Sequence, residues 1–333
     1  MPQLSILIVN YYSADVLQPC LDSIVQGTHN LDYELLVVNN SRDDKEFEGL
    51  KPVFRQVKWL EAGYNAGFAR ANNMGIRKAG GTFVLLLNSD TVVPSGTLEY
   101  VVSWMEQHPA FAAIGTPLEY PDGTPQISGN YALKGGLNYL MMIPFLGKLL
   151  KYAGQGMGVQ KTNIDAVAKE VQEVDWINGA FLLVRKSSIL QAGMLDEDFF
   201  LYHEESEWCS RLKKTGKLGI LGKYKVVHLE GFSSNKAFQS QSSGHNQLFD
   251  KKGRQLFVSL MLRIRKEFGL GWFCFHLIAF TGTLPVVWLL GAINSLTGAV
   301  SFKPYLAYTR NIASIWPLVP KIISGAPHFY KVL

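Results

Sequence analysis

Three short apolar runs, Leu4 to Val9, Leu35 to Val38 and Thr82 to Leu87, each stop abruptly in a polar cluster: Asn10-Tyr11-Tyr12-Ser13, Asn39-Asn40-Ser41 and Asn88-Ser89-Asp90. Runs without polar alternation suit strands buried on both faces, the situation in parallel sheets covered by helices. Helix-like segments, Val16 to Val25 and Ala69 to Lys78, fall between the runs, so the chain reads as β-α-β units. Parallel α/β sheets bind ligands beyond the carboxyl ends of their strands, and the three clusters therefore predict one crevice. Met1 to Asn10 has no preceding positive cluster, the first Lys or Arg being Arg42. It is expected to be a buried strand and not a signal peptide.

Further along, a helix is expected over Ser95 to Gln107, a turn at Pro121-Asp122-Gly123, a strand over Phe181 to Arg185, an amphipathic helix running through Leu212 and a strand near Lys225 to Leu229. Leu137 to Leu146, closed by Lys148 and Lys151, suits either a core helix or one lying in a membrane interface. Gly154, Gly156 and Gly158 follow no strand and carry no dinucleotide fingerprint, so a loop is expected there. Ser233 to Gly244 is rich in Ser and Gln and is expected to be mobile. Cys20, Cys209 and Cys274 are odd in number and widely spaced, which suits reduced thiols in a cytosolic setting and neither a disulfide framework nor a zinc site.

The last quarter differs in character. From Lys251 onward there are ten basic residues and one acid, Glu267, a net +9, whereas the first 250 residues are net −4. Phe268 to Phe302 contains no charged residue over 35 positions, longer than the roughly 20 apolar residues a spanning helix needs. Trp272, Pro285 and Trp288 fit a membrane segment. Basic residues flank both sides (Arg263, Arg265 and Lys266 before, Lys303 and Arg310 after), so the positive-inside rule selects no one-way crossing. Acid-poor basic flanks suit anionic headgroups and gain nothing in a globular core.

Asp90 follows an apolar strand, where a carboxylate needs a cation or hydrogen bonds to offset desolvation; a hard divalent ion bridging a diphosphate would supply this. Asn88-Ser89-Asp90 is one amide away from an Asp-x-Asp pair, and a strand-end Asn or Asp is also a common turn former. Glu204, Glu205 and Glu207 crowd an expected helix start, where the dipole favours one or two acids. The aromatic run Phe199 to Tyr202 before them would raise a neighbouring carboxylate's pKa toward general-base values. His228 ends a late strand, as a core histidine or as a partner of Asp90 on a metal.

Taken in order, Ile8-Val9-Asn10-Tyr11-Tyr12-Ser13, Asn65-Ala66-Gly67-Phe68 with Asn72-Asn73, Leu86-Leu87-Asn88-Ser89-Asp90, Pro121-Asp122-Gly123-Thr124, Val174-Asp175-Trp176 with Gly179-Ala180, Phe200-Leu201-Tyr202 with Glu204-Glu205, and Val227-His228 resemble the inverting glycosyltransferases of family 2 and, within them, the bacterial rhamnosyltransferase-like group. The resemblance covers Leu4 to Ser234. It implies a GT-A fold, a mostly parallel central sheet flanked by helices, followed by a membrane-associated helical region. It also implies a nucleotide-diphosphate sugar donor and Mg or Mn. Asn10, Tyr12, Asn39 and Asn40 would serve the nucleoside side of the donor, with Asn65, Gly67, Asn88, Trp176 and Gly179 around it. Asp90 and His228 would hold the metal. Glu205 would be the base, with Glu204 as its rival, since Glu205 stands where Asp is common. Asn39 likewise stands where the family has Asp against the base of the nucleotide.

The expected organisation is a catalytic domain over 1–234, a linker and basic helix over 235–267, membrane-associated or re-entrant helices over 268–302 and a basic amphipathic tail over 303–333. The expected activity is metal-dependent, inverting transfer of a sugar, with L-rhamnose the subgroup's lean, to a hydroxyl of a lipid-linked glycan in cell-envelope polysaccharide synthesis. The place would be the cytoplasmic face of the inner membrane, against anionic lipids and with no nucleic-acid partner. Two alternatives stand beside it. A sugar-nucleotide nucleotidyltransferase would normally carry a Gly-rich basic phosphate loop, which Asn10 to Asp15 lacks. A non-catalytic membrane-anchored binding protein would not need the acidic cluster and His228.

Overall fold

The computed structural model describes residues 1–332 except 157–162, 168, 241–243 and 299–300. Gly158 and part of the Ser233 to Gly244 stretch lie outside the described residues. Strands β1 (Leu4–Asn10), β2 (Tyr33–Asn39), β3 (Val57–Glu61) and β4 (Phe83–Asn88) are parallel neighbours in the order β4-β1-β2-β3. After the two-residue β5 (Thr91–Val92), the chain adds β6 (Phe111–Gly115), then the short β7 (Leu118–Glu119), β8 (Gly129–Asn130) and β9 (Asn163–Ile164). It continues through β10 (Val171–Val174), β11 (Trp176–Ile177), β12 (Phe181–Arg185), β13 (Lys217–Leu221) and β14 (Val226–His228). The main sheet runs β10-β13-β6-β12-β4-β1-β2-β3. It is mixed: β12 is antiparallel to both β4 and β6, and β10 is antiparallel to β13.

Strand alternation explains the two cores. Leu4, Ile6 and Ile8 face one side, against α1 (Ala14–Gly27), α2 (Lys45–Leu50) and a later helix; Leu7 faces the other, against α3 (Gly67–Lys78). In α1 the buried Leu17, Cys20, Leu21 and Ile24 recur at helical spacing and make the stripe that covers the sheet. On that side lies α4 (Thr97–Gln107), through Leu98, Val101, Val102 and Met105. After α5 (Leu146–Gly156) come α6 (Lys186–Ala192) and α7 (Glu204–Leu212). Ile189 of α6 and Trp208, Cys209 and Leu212 of α7 fill the second core.

The chain divides into two compact units. The first is Met1–Tyr131, Asn163–Glu197 and Glu204–Ala237, and it holds both sheet cores. The second is Ala132–Thr162, Asp198–His203 and Phe238–Leu333. Residues 132–162 and 198–203, which fall inside the expected catalytic domain, thus cluster with the C-terminal helices. The stretch after β14 begins with α8 (Phe232–Phe238), so at least half of the segment expected to be mobile is helical.

The second unit is built around α9 (Lys251–Phe268), whose Phe257, Val258, Leu260, Met261, Leu262 and Ile264 are buried. Around it lie α10 (Leu270–Gly282), α11 (Leu284–Leu296), α12 (Lys303–Ala313) and α13 (Val319–Ser324). Phe257 meets Phe280 and Tyr308 edge-on, with ring centroids 5.3 and 5.5 Å apart. Gln255 donates to the Tyr330 carbonyl (2.9 Å) and accepts from the Val332 amide (3.0 Å), which draws residues 330–332 into this core. Tyr330 also pairs with Phe199 in an isolated bridge. Of the two possibilities for Leu137 to Leu146, the core packing is the one seen: Ile143 is buried and Tyr139, Leu140, Met142, Phe145 and Leu146 pack against this core, with Leu137 and Met141 exposed.

Candidate active site

The ends of β1, β2 and β3 lie side by side, Asn10 opposite Asn39 and Asn39 opposite Glu61. Asn10 is fully buried, and its amide is spent within the protein. Nδ2 donates to Asn39 Oδ1 (3.2 Å) and Asp44 Oδ2 (3.0 Å), while Oδ1 accepts from the Ser13 amide and hydroxyl. It forms the floor of the crevice. Asn39 Nδ2 donates to Glu61 Oε2 at 2.9 Å. Asn40 shapes the next loop: its Oδ1 accepts from Ala66 N (2.7 Å) and its Nδ2 reaches Asn65 Oδ1 (3.3 Å), which also accepts from Gly67 N (3.1 Å). Gly67 has φ 74°, a conformation that a side chain disfavours, and it opens α3. Tyr12 donates its hydroxyl to the Arg42 carbonyl (2.7 Å), and Arg42 Nε donates to the Gly63 carbonyl (3.1 Å). These bonds clasp three strand-end loops around a cavity of about 540 Å³, lined by Asn39, Ser41, Arg42, Asp44, Glu61 and Gly63 among others.

From this floor a bond between Ser13 and Ser89 hydroxyls (3.0 Å) leads to the end of β4. Asp90 and His228 are 6% and 4% exposed, and Asp90 Oδ1 lies 3.4 Å from His228 Nε2. The short sheet β5-β14-β7 makes this pair, setting His228 opposite Thr91. Gln126 fixes the imidazole. Its Nε2 donates to the His228 carbonyl (2.6 Å), which leaves Oε1 to accept from Nδ1–H (2.8 Å). The Nε2 lone pair then points toward Asp90 and the Asn88 amide (3.2 Å). Burial pushes the Asp90 carboxyl up, but hydrogen bonding and charge from His228 outweigh it and hold the pKa below the ordinary value. The Phe232 amide adds a long bond to Oδ2 (3.4 Å).

One hard oxygen donor and one imidazole nitrogen with its tautomer preset suit a divalent ion that takes its other ligands from phosphate and water. Among the described residues no group of three or more His, Cys, Asp or Glu converges, so such an ion would depend on the substrate to complete its shell.

The three acids of α7 separate by environment. Glu207 is bound at both oxygens by Arg211, each contact 2.7 Å, and is structural. Glu204 is 3% exposed and its Oε2 has no hydrogen-bond partner among the described residues. Burial first and the Glu205 charge second push its carboxyl well above the ordinary range. Glu205 is only partly buried, and a Cβ on Gly179 would stand 3.5 Å from its Cγ. Gly179 therefore leaves room beside it. Asn88 N donates to the Ala180 carbonyl (3.1 Å), which ties this corner to the Asp90 end of β4. Trp176 pairs with Asn130 in the sheet β11-β8-β9 and packs against the second core.

The predicted residues thus form one linked run, from the Asn10, Tyr12, Asn39, Asn40, Asn65 and Gly67 loops through Asn88, Asp90 and His228 to Gly179 and Glu205. Three contributors escaped the sequence reading. Gln126 lies in a loop with no motif around it, Glu61 ends a strand that was not anticipated, and Lys236 of α8 donates to the Tyr12 carbonyl. Only Glu61 left a legible signal, the apolar alternation of Val57-Lys58-Trp59-Leu60 before it.

Residues 5–164 match the family model described as glycosyl transferase family 2. N-acetylglucosaminyl-diphospho-decaprenol L-rhamnosyltransferase of Mycobacterium tuberculosis is 24% identical over 259 residues, 73% of this chain and 81% of the relative. Rhamnosyltransferase WbbL of Escherichia coli is 23% identical over 249 residues, 71% and 87% of the two chains. Among solved structures, that of GalNAc-T7 with UDP, GalNAc and Mn2+ superposes with a TM-score of 0.53 at 15% identity. It covers 78% of this chain, which spans about half (49%) of that one, and the likeness is one of fold. With a GT-A fold, a family 2 match over residues 5–164 and these relatives, the chain is a glycosyltransferase similar to the rhamnosyltransferase-like group of family 2.

Proposed function

We propose that the protein transfers a sugar, L-rhamnose by analogy with its relatives, from a nucleoside-diphosphate donor to a hydroxyl of a lipid-linked glycan, with inversion, in cell-envelope polysaccharide synthesis. The observation that carries this reading is the buried Asp90–His228 pair at the end of β4, with its imidazole preset by Gln126. The clasped cavity beside Asn39 and Glu61 would take the nucleoside.

Glu205 is the base. Burial and the neighbouring Glu205 charge push the Glu204 carboxyl up, away from a base, whereas Glu205 is only partly buried and stands beside the space that Gly179 leaves. Glu205 takes the proton of the acceptor hydroxyl, whose oxygen forms a bond to the anomeric carbon while the bond from that carbon to the phosphate oxygen breaks. The nucleoside diphosphate leaves with the electron pair, and attack from the opposite face inverts the configuration. A Mg or Mn ion held by Asp90 and His228 would neutralise charge on the departing diphosphate.

The lipid-linked acceptor and the +9 tail support work at the cytoplasmic face of the inner membrane, where anionic lipids attract basic residues. The test is incubation of the purified full chain with UDP- and dTDP-sugars, Mn or Mg, and a polyprenyl-diphosphate N-acetylglucosamine acceptor. A glycolipid product of inverted configuration is expected. Nucleotide release alone, or none with any donor, would reject the reading.

A further inference from the structure

Leu270–Leu296 is the one stretch among the described residues long and apolar enough to cross a membrane, 27 residues of which an 18-residue window has mean hydropathy 1.8. At 1.5 Å per residue it would reach about 40 Å, enough for a bilayer. Length alone does not decide how it meets lipid; its two faces do. Phe273, Leu277 and Phe280 of α10 and Val287 of α11 are buried in the core of the second unit. Two polar bonds fasten α11 to α12, Trp288 Nε1 to Thr309 Oγ1 (2.8 Å) and Asn294 Nδ2 to Tyr305 Oη (2.9 Å). Gly291 lets the Tyr305 ring lie where a Cβ would stand only 2.7 Å from it. His276 is fully buried and contacts the Gly136 carbonyl at 3.1 Å. The inner face is thus fixed along nearly its whole length to helices of the same unit.

The outer face bears another row at helical spacing: Leu270, Phe275, Ile278, Val286, Leu289 and Ile293, between 41% and 69% exposed. A helix pair that is apolar on both faces, with one face already packed, has an unsatisfied apolar side. Crossing the bilayer would carry its packing partners along. The longest uncharged stretch of α9 is the eight residues between Arg254 and Arg263, far short of the roughly 20 that a span needs. Lys303 and Arg310 of α12 would follow into hydrocarbon, where charges are strongly disfavoured. Held in the plane of the leaflet, the same outer row meets acyl chains, and the exposed Lys303, Arg310 and Lys321 of the acid-poor flank can meet anionic headgroups.

We infer that α10 and α11 lie in the plane of the leaflet, with the outer row as the lipid contact, and do not cross the membrane. This rests on the membrane attachment proposed above and says how it is made.

The full chain is floated with vesicles of phosphatidylethanolamine and phosphatidylglycerol, alongside the double variant Ile278→Glu with Leu289→Glu. The wild type is expected to float and the variant to partition about 100-fold less, since each side chain transferred is worth a factor of roughly ten. Both should keep the same melting temperature in detergent. Single cysteines are also placed by Lys251→Cys and Lys303→Cys in a Cys274→Ser background and treated with an impermeant maleimide. Both sites should label in inverted inner-membrane vesicles and neither in spheroplasts.

Failure of the wild type to float would reject membrane attachment itself. If it floats but Lys303→Cys labels only in spheroplasts, the segment spans and the in-plane inference falls while attachment stands. If the double variant floats like the wild type, or only loses a lipid-free dimer, the outer row is not the lipid contact. Should the double variant fail to fold, the labelling pair still decides between the two topologies.

Discussion

At the scale of single residues, environment separates groups that look alike in sequence. Glu205→Gln should cut transfer by roughly 10²- to 10⁴-fold, the usual worth of a positioned base, with donor binding kept. Product formation beside donor-induced thermal shift checks this, and unchanged transfer would remove Glu205 from its role. Glu204→Gln acts on stability. The folded carboxyl holds its proton above the ordinary range, so the wild-type fold loses stability as pH rises past the unfolded carboxyl's pKa of about 4.5. The melting-temperature advantage of Glu204→Gln should therefore be larger at pH 8 than at pH 5; the reverse order would show Glu204 ionised in the fold. His203 runs the other way. Burial, then Arg263, lowers its pKa from 6.5 to about 3, so the folded ring stays neutral. The unfolded chain takes up a proton below 6.5, and stability should fall with acidification between 6.5 and 3 by up to about 1.4 kcal/mol per pH unit. Denaturant melts across that range, compared with His203→Gln, read the slope.

Single elements were legible to the extent that their period was. The strand Phe181–Arg185 coincides with its expected span, and β1, β2, β4 and α3 agree to within two residues, because uninterrupted apolar runs and Gly or polar stops mark both ends. The two-residue β5, β7, β8 and β11 were invisible, being too short for any period, yet β5 and β7 position His228. The antiparallel insertion of β12 between β4 and β6 was equally hidden, since strand direction leaves no mark on composition. The site behaves alike: Asp90 and His228 were named from their places at strand ends, whereas their 3.4 Å approach and the Gln126 brace depend on long-range pairing. The start of α3 offers a test at this scale. Gly67→Ala places a Cβ at φ 74° and should cost about 1–2 kcal/mol in denaturant unfolding. Because the same turn is tied to Asn40 and Asn65, it should also weaken donor binding; unchanged stability would mean the turn relaxes freely.

For the whole molecule, the decisive fact is that the second unit is discontinuous. Its core joins Ile143 and Phe199 to Phe257, Phe280, Tyr308 and Tyr330. By itself the division of charge, net +9 from Lys251 onward and −4 before it, implies that a cut at Lys251 frees a soluble enzyme. The packing predicts otherwise: a chain ending at residue 250 leaves Ile143 and Phe199 without their partners. Such a truncation should sediment as aggregate and not pass into the soluble fraction, which centrifugation after lysis without detergent reads directly. The bridge between Phe199 and Tyr330, with Gln255 holding residues 330–332, carries one more consequence, for biosynthesis. The core around Phe199 can close only after residues 330–332 have been made. Phe199 must therefore wait, while the 130 intervening residues are made, for the bridge partner that completes its surroundings.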